Sequence, residues 1–140
     1  MNPEITIPFN FMAAVERFAK EPFLAHRAGL STNSKQIIDV YTKISYEESL
    51  VMVHLIAQLL LKGGMQSGDR AIIYAKNSPL WLMSDLAISF AGGVTAPVYE
   101  TLGLDNIIYC VNLVQAKVVL VTQEYLPNIL GSLDQMPTVQ

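Results

Sequence analysis

Cysteine is almost absent from this sequence: Cys110 stands alone in 140 residues. A single thiol excludes an internal disulfide and makes a sulfur-bound metal cluster implausible, so the expected setting is the reducing cytoplasm. Charge is also scarce. Only 15% of residues are Asp, Glu, Lys or Arg. The nine Lys and Arg are scattered, and the net charge is −3. Phosphate backbones require clustered positive charge, so no nucleic-acid partner is expected.

Long apolar runs are missing too. Leu50 to Leu61 spans only about a dozen residues and carries His54 and Gln58, whereas a membrane span needs roughly 20 apolar residues. Leu80 to Tyr99 is longer, but Asp85, Gly92-Gly93 and Pro97 divide it into a helix and a strand. The first nine residues lack a basic region before an apolar run, so no secretory signal is expected. Neither GxGxxG nor a glycine followed by lysine occurs, so the usual phosphate cradles are absent.

Apolar residues are plentiful at 51%, with a mean hydropathy of +0.35. That is high for a chain of this size, and part of the apolar surface is expected to find its cover outside these residues.

Phe11, Ala14, Val15 and Phe18 recur at helical spacing and predict a helix over 10–20, ended near Pro22. Residues 27–36 read as a loop, and Ile37–Thr42 reads as a strand. Ser45-Tyr46-Glu47-Glu48 is a capping box opening a long helix that stops at Gly63-Gly64. Arg70–Ala75 is a short apolar strand. Ser78 and Pro79 then supply an N-cap and a first helical residue for a helix to Ala91.

Gly92-Gly93 ends that helix, and Val94–Val98 is the next strand. Leu104, Ile107, Ile108, Val111 and Val114 mark another helix, and Lys117–Val121 another strand. A weaker helix covers Gln123–Gly131, and Pro137–Gln140 could open one more strand. The fold class is therefore α/β, a parallel sheet with flanking helices. The expected organisation is a helix and short strands over 1–43 and βαβ units over 44–140, with the chain ending inside the fold.

Ligands of open α/β sheets sit beyond the carboxyl ends of the strands, here Lys76–Ser78, Tyr99–Gly103 and the residues after Val121. No catalytic, cofactor-binding or metal-ligating residue can be assigned there. Tyr99 and Thr101 are the polar pair placed near a ligand, although stabilising a turn explains them as well. His26 and His54 lack ligand spacing, and Cys110 reads as a small core residue. Asp85, in an apolar helix, is expected to be buried and paired. A phospho-acceptor reading fails because Tyr74-Ala75 and Val98-Tyr99 supply no acidic strand ends.

Five segments in register carry a resemblance: Ile44–Glu48, Gly63–Arg70, Asn77–Trp81, Asp85–Ala87 and Ala91–Thr101, followed by Gln115–Val119. Together they resemble the N-terminal part of the adenylate-forming (AMP-binding) superfamily. The form Pro97-Val98-Tyr99-Glu100-Thr101 is most similar to long-chain fatty-acid CoA ligases. Gly103 departs from the pattern, where a polar turn residue is usual, and so does Lys76, where Pro or an apolar residue is commoner.

The resemblance implies an incomplete N-terminal subdomain of the acyl-CoA synthetase fold. It implies a parent that uses ATP, Mg and coenzyme A to adenylate a fatty acid and pass the acyl group to the thiol. The phosphate loop, the ribose-binding Asp and the catalytic lysine of that family lie outside the matched segments. These residues alone are then inactive, with Tyr99 and Thr101 bordering the acyl or CoA channel. The implied partners are the remainder of the parent, fatty acid and coenzyme A, with self-association and peripheral membrane contact of the parent also open. Two rival readings stand beside it: a naturally short, non-catalytic protein binding a partner or itself through an apolar face, and a free nucleotide-binding module.

Overall fold

The computed structural model describes residues 6–27 and 41–139. By packing, the chain divides into two compact units, Met1–Met52 and Val53–Gln140. Residues 28–36 of the expected loop over 27–36, and residues 37–40 of the expected strand Ile37–Thr42, lie outside the described residues, while Tyr41 and Thr42 are in a strand as expected.

In the first unit, helix α1 (Ile7–Phe18) begins earlier than its apolar spacing indicates. The Thr6 hydroxyl accepts the Phe9 N–H at 3.2 Å, and Pro8 fits the first turn, where its missing N–H is not needed. Strand β1 (Pro22–Arg27) pairs antiparallel with β2 (Tyr41–Ser45). Arg27 thus belongs to a strand and not to the expected loop. Neither strand has a clean in-out alternation, because most of both is exposed, so β1 leaves little trace in the sequence.

Tyr46, Phe11 and Phe23 form an aromatic cluster, with the Phe23 and Tyr46 rings 4.6 Å apart. Helix α2 (Tyr46–Lys62) then opens on its capping box. The Glu48 carboxylate accepts from both Ser45 N–H and Ser45 Oγ at 2.8 Å, and Ser45 Oγ accepts the Glu48 N–H at 3.3 Å.

In the second unit, strands β3 (Arg70–Tyr74), β4 (Val94–Pro97) and β5 (Val118–Val121) form a parallel sheet in the order β4-β3-β5. Ile72 pairs with Ala96 on one side and Val119 on the other. The helices between them are α3 (Pro79–Phe90), α4 (Leu104–Leu113) and the short α5 (Leu126–Leu130). A 3₁₀ turn at Leu133–Gln135 follows. The residues after it, Pro137–Val139, form turns and not the strand that the sequence allowed.

Successive strand residues face opposite sides. Ile72 and Tyr74 pack with Ile107 and Val111 of α4 and with Ile129 of α5. Ala71 and Ile73 turn to the other face, toward α3 and the end of α2. The β3–β4 and β4–β5 connections cross the sheet in opposite senses, so one handedness for both requires α3 and α4 on opposite faces. That is the observed arrangement.

Three helices stop in one way. Gly64 after α2, Gly92 after α3 and Gln115 after α4 have φ of 94°, 78° and 52°. In each case the left-handed residue and its successor donate back into the last turn: Gly64 to Leu61 and Met65 to Leu60, Gly92 to Ser89 and Gly93 to Ile88, Gln115 to Asn112 and Ala116 to Val111. The glycine pairs are therefore helix stops. Arg70 reinforces the third, its Nε donating to the Val114 carbonyl at 2.7 Å at the negative end of α4.

Candidate functional site

The carboxyl ends of β3 and β4 diverge around a cleft of about 680 Å³ lined by Ala75, Lys76, Asn77, Trp81 and Pro97–Thr101. Two loops build it. The first leaves β3 and turns into α3 at Ser78, whose hydroxyl accepts the Trp81 N–H at 3.2 Å and fixes the direction in which the helix starts. Trp81 is thereby set one turn inside the helix, on the cleft wall. The second loop leaves β4 and turns over Tyr99–Leu102, closed by the Leu102 N–H donating to the Tyr99 carbonyl at 3.1 Å.

Tyr99 and Thr101 both line this cleft, and Tyr99 is 81% exposed. Their loop is also a pinned turn: Tyr74 Oη donates to the Leu102 carbonyl at 3.4 Å. The Tyr74 ring stacks on Tyr125 with centroids 4.5 Å apart. Burial, with smaller contributions from Tyr125, Glu124 and Glu100, raises the Tyr74 pKa above its ordinary value, so the phenol stays protonated and remains a donor.

Lys76, at the cleft rim, pairs with Glu124 at 3.5 Å, and Glu124 chiefly raises its pKa. Both side chains are about three-fifths exposed, at 60% and 62%, so solvent screens the pair and it adds little to stability. Glu100 Oε2 is buried without a hydrogen-bond partner. Because that oxygen is shielded from solvent, it does not present an acceptor to the open cleft.

Sequence reasoning locates both loops but singles out only Tyr99 and Thr101. Lys76, Asn77, Trp81 and Glu100 join them through the parallel register, which places the ends of β3 and β4 side by side. The one signal for them in the sequence is Trp81 three residues after a strong N-cap. Asp85 is half-buried, so the expected buried and paired carboxylate is corrected: partial solvation removes the need for a partner. His54 is exposed and meets Phe90 edge-on at 5.5 Å, and His26 is exposed on β1. Cys110 packs at the margin of the α4 core.

Among the described residues, no group of three or more His, Cys, Asp or Glu is placed to hold a metal ion. The cleft offers no cradle of left-handed glycines for phosphates: among the described residues, Gly64 and Gly92 serve helix ends and Gly68 the turn into β3, all at the opposite end of the strands. The residues present do not fit Mg or the ATP phosphates. No helix among them is long and apolar enough to cross a membrane.

A second concavity, about 590 Å³, lies on the α2/α3 face of the sheet over β5 and is lined largely by apolar groups, including Ile56, Leu59, Leu80, Trp81, Val118 and Leu120. Exposed Leu55 and Leu59 extend it along α2.

A parallel sheet between helices, with a cleft at its carboxyl edge, defines an α/β domain of the open-sheet type. The chain belongs to the AMP-binding enzyme family, whose model matches residues 24–140. It is 31% identical over 140 residues to the peroxisomal long chain acyl-CoA synthetase 7 of Arabidopsis thaliana, covering 99% of this chain and 19% of that protein. It is 38% identical over 82 residues to long-chain-fatty-acid–CoA ligase 5 of Rattus norvegicus, covering 57% of this chain and 12% of that one.

Among solved structures, the A domain of the carboxylic acid reductase from Segniliparus rugosus, in complex with AMP and a co-purified carboxylic acid, superposes with a TM-score of 0.83. It shares 18% identity over 100% of this chain and 24% of that one, a likeness of fold alone. The chain spans about a fifth of the length of its Arabidopsis relative.

Proposed function

We propose that this chain is the N-terminal scaffold of an ATP-dependent, AMP-forming fatty acyl-CoA synthetase. The observation that carries the reading is the 31% identity sustained along 140 residues to a long chain acyl-CoA synthetase. In the reaction of the whole protein, a fatty carboxylate attacks the α-phosphate of ATP and expels pyrophosphate. The thiol of coenzyme A then displaces AMP from the acyl adenylate. Neutralising phosphate charge is the main demand of such a step, and the described residues supply neither a cradle nor a metal site for it. Catalytic groups, Mg and ATP contacts are assigned to the rest of the polypeptide.

The role of this segment is to hold the cleft between β3 and β4, with Tyr99 and Thr101 on the border of the channel for acyl chain or coenzyme A. The setting is the cytoplasm, the default for a chain with one free thiol, and the whole protein meets its fatty acid at a membrane surface.

The test is thioester formation from ATP, Mg, coenzyme A and palmitate. The polypeptide isolated from its source is expected to release AMP and pyrophosphate with the acyl-CoA, and residues 1–140 alone are expected to release neither. In the whole protein, Tyr99→Ala and Thr101→Ala are expected to raise KM for fatty acid or coenzyme A several-fold while leaving KM for ATP unchanged. Turnover by residues 1–140 alone would overturn the reading.

The apolar exposure of Val51, Leu55 and Leu59 along α2 favours a second reading, in which a short non-catalytic protein associates with itself or a partner through that face. A defined dimer of 15.4 kDa chains without ligase activity in the source would support it.

A further inference from the structure

Strand β3 ends on four buried residues, Ala71-Ile72-Ile73-Tyr74. Phenylalanine would fill the last place without carrying a hydroxyl out of water, and a buried hydroxyl is costly unless it is hydrogen-bonded. Tyr74 is only 5% exposed. Its ring packs with Ile107, Val111 and Ile129 and stacks on Tyr125 at 4.5 Å and 25°. Tyr125 is itself held, since its N–H and that of Leu126 donate to the Thr122 carbonyl at 3.0 and 3.1 Å. The hydroxyl therefore sits on a ring with little freedom to move.

The loop that receives this hydroxyl runs from β4 to α4 over residues 98–103. It is attached to β3 at two consecutive residues. Val98 N–H donates to the Ile73 carbonyl at 3.2 Å, and Tyr74 Oη donates to the Leu102 carbonyl at 3.4 Å. Tyr99, Glu100 and Thr101 lie between these attachments, in the turn that Leu102 N–H closes on the Tyr99 carbonyl.

Beyond Leu102 the loop gains no anchor from a helix cap. Gly103 starts α4 without a side-chain bond, and a Cβ there would meet nothing within 4 Å. The backbone can pivot at that glycine. The Leu102 side chain keeps its place against the α4 core, so the fold does not depend on the hydroxyl. What the hydroxyl adds is direction: it fixes the peptide plane through which the turn closes.

We propose that Tyr74 is a positioning residue for the cleft, its hydroxyl setting the orientation of the turn that presents Tyr99 and Thr101 to the ligand. Buried and outside the cleft lining, it acts through the turn and not on the ligand. This rests on the reading of Tyr99 and Thr101 as the border of the channel for acyl chain or coenzyme A.

The test is Tyr74→Phe in the whole protein, which keeps the ring and its stacking and removes only the hydroxyl. KM for fatty acid or for coenzyme A is expected to rise about fivefold, in keeping with one neutral hydrogen bond, while kcat, KM for ATP and the thermal midpoint stay close to wild type. The Leu102 amide is expected to exchange with solvent about tenfold faster as its turn loosens. Wild-type KM for both fatty acid and coenzyme A in an active Tyr74→Phe enzyme would overturn the proposal. So would a fall in kcat and thermal midpoint with all three KM values unmoved or raised alike, since that marks a residue that only holds the fold together. The two readings fail separately. A protein that makes no thioester but shows the faster Leu102 exchange defeats the ligase reading and leaves the anchored turn standing, and an active ligase in which neither KM nor the exchange responds does the reverse.

Discussion

Gly93 is the most closely packed glycine among the described residues. A Cβ there would meet the Met65 methyl at 2.0 Å, Ile88 Cγ2 at 3.0 Å and the Asp69 carbonyl at 3.2 Å. Met65 can swing aside, but the carbonyl belongs to the backbone that pairs with β4 and cannot. Gly93→Ala is expected to cost about 1–3 kcal/mol, read as a lower urea midpoint.

Gln115 presents the opposite case, a side chain where the backbone favours glycine. At φ 52° it bears the left-handed strain that Gly64 and Gly92 avoid. Gln115→Gly is expected to stabilise the fold by about 0.5 kcal/mol, and Gln115→Val to destabilise it, both by thermal unfolding. The third helix stop is for this reason the hardest to read: the two glycine stops announce themselves, and Gln115 does not.

Among the elements, α2 and α3 are legible because their caps are local chemistry. Ser45 with Glu48, and Ser78 with Pro79, act within one helical turn and so are written in adjacent residues. The two hydrogen bonds from Ser45 hold the Glu48 carboxyl below its ordinary 4.5, the backbone one contributing most. A depressed carboxyl stabilises the fold above the unfolded value and loses that contribution as pH falls through the folded value. Stability is therefore expected to decline below about pH 4.5, and Glu48→Gln to flatten that decline in acid titrations followed by circular dichroism.

Helix α4 has the weakest start: its N-cap, Gly103, offers no side-chain bond, and a Cβ there meets nothing within 4 Å. Gly103→Ser is expected to gain about 0.3 kcal/mol in chemical unfolding. Strand β1 is not legible, because an exposed strand pairing across an intervening segment leaves no periodicity in its own residues.

At the scale of the whole molecule, the surplus of apolar residues is the most informative property of the sequence. It reappears as the concavity over β5 and the bare stripe of Leu55 and Leu59 on α2. The candidate site is only half legible. The strand-end rule locates its loops, but Trp81, Lys76 and Glu100 reach the cleft by the register of β3 with β4, a tertiary fact that no local spacing encodes.

On the reading proposed above, this chain is a segment of a longer synthetase. The most direct test is the intact mass of the native polypeptide captured by an antibody against residues 41–139. The account predicts a species about five times the 15.4 kDa of this chain, in keeping with its fifth-length share of the Arabidopsis relative. A native species of 15.4 kDa would contradict it.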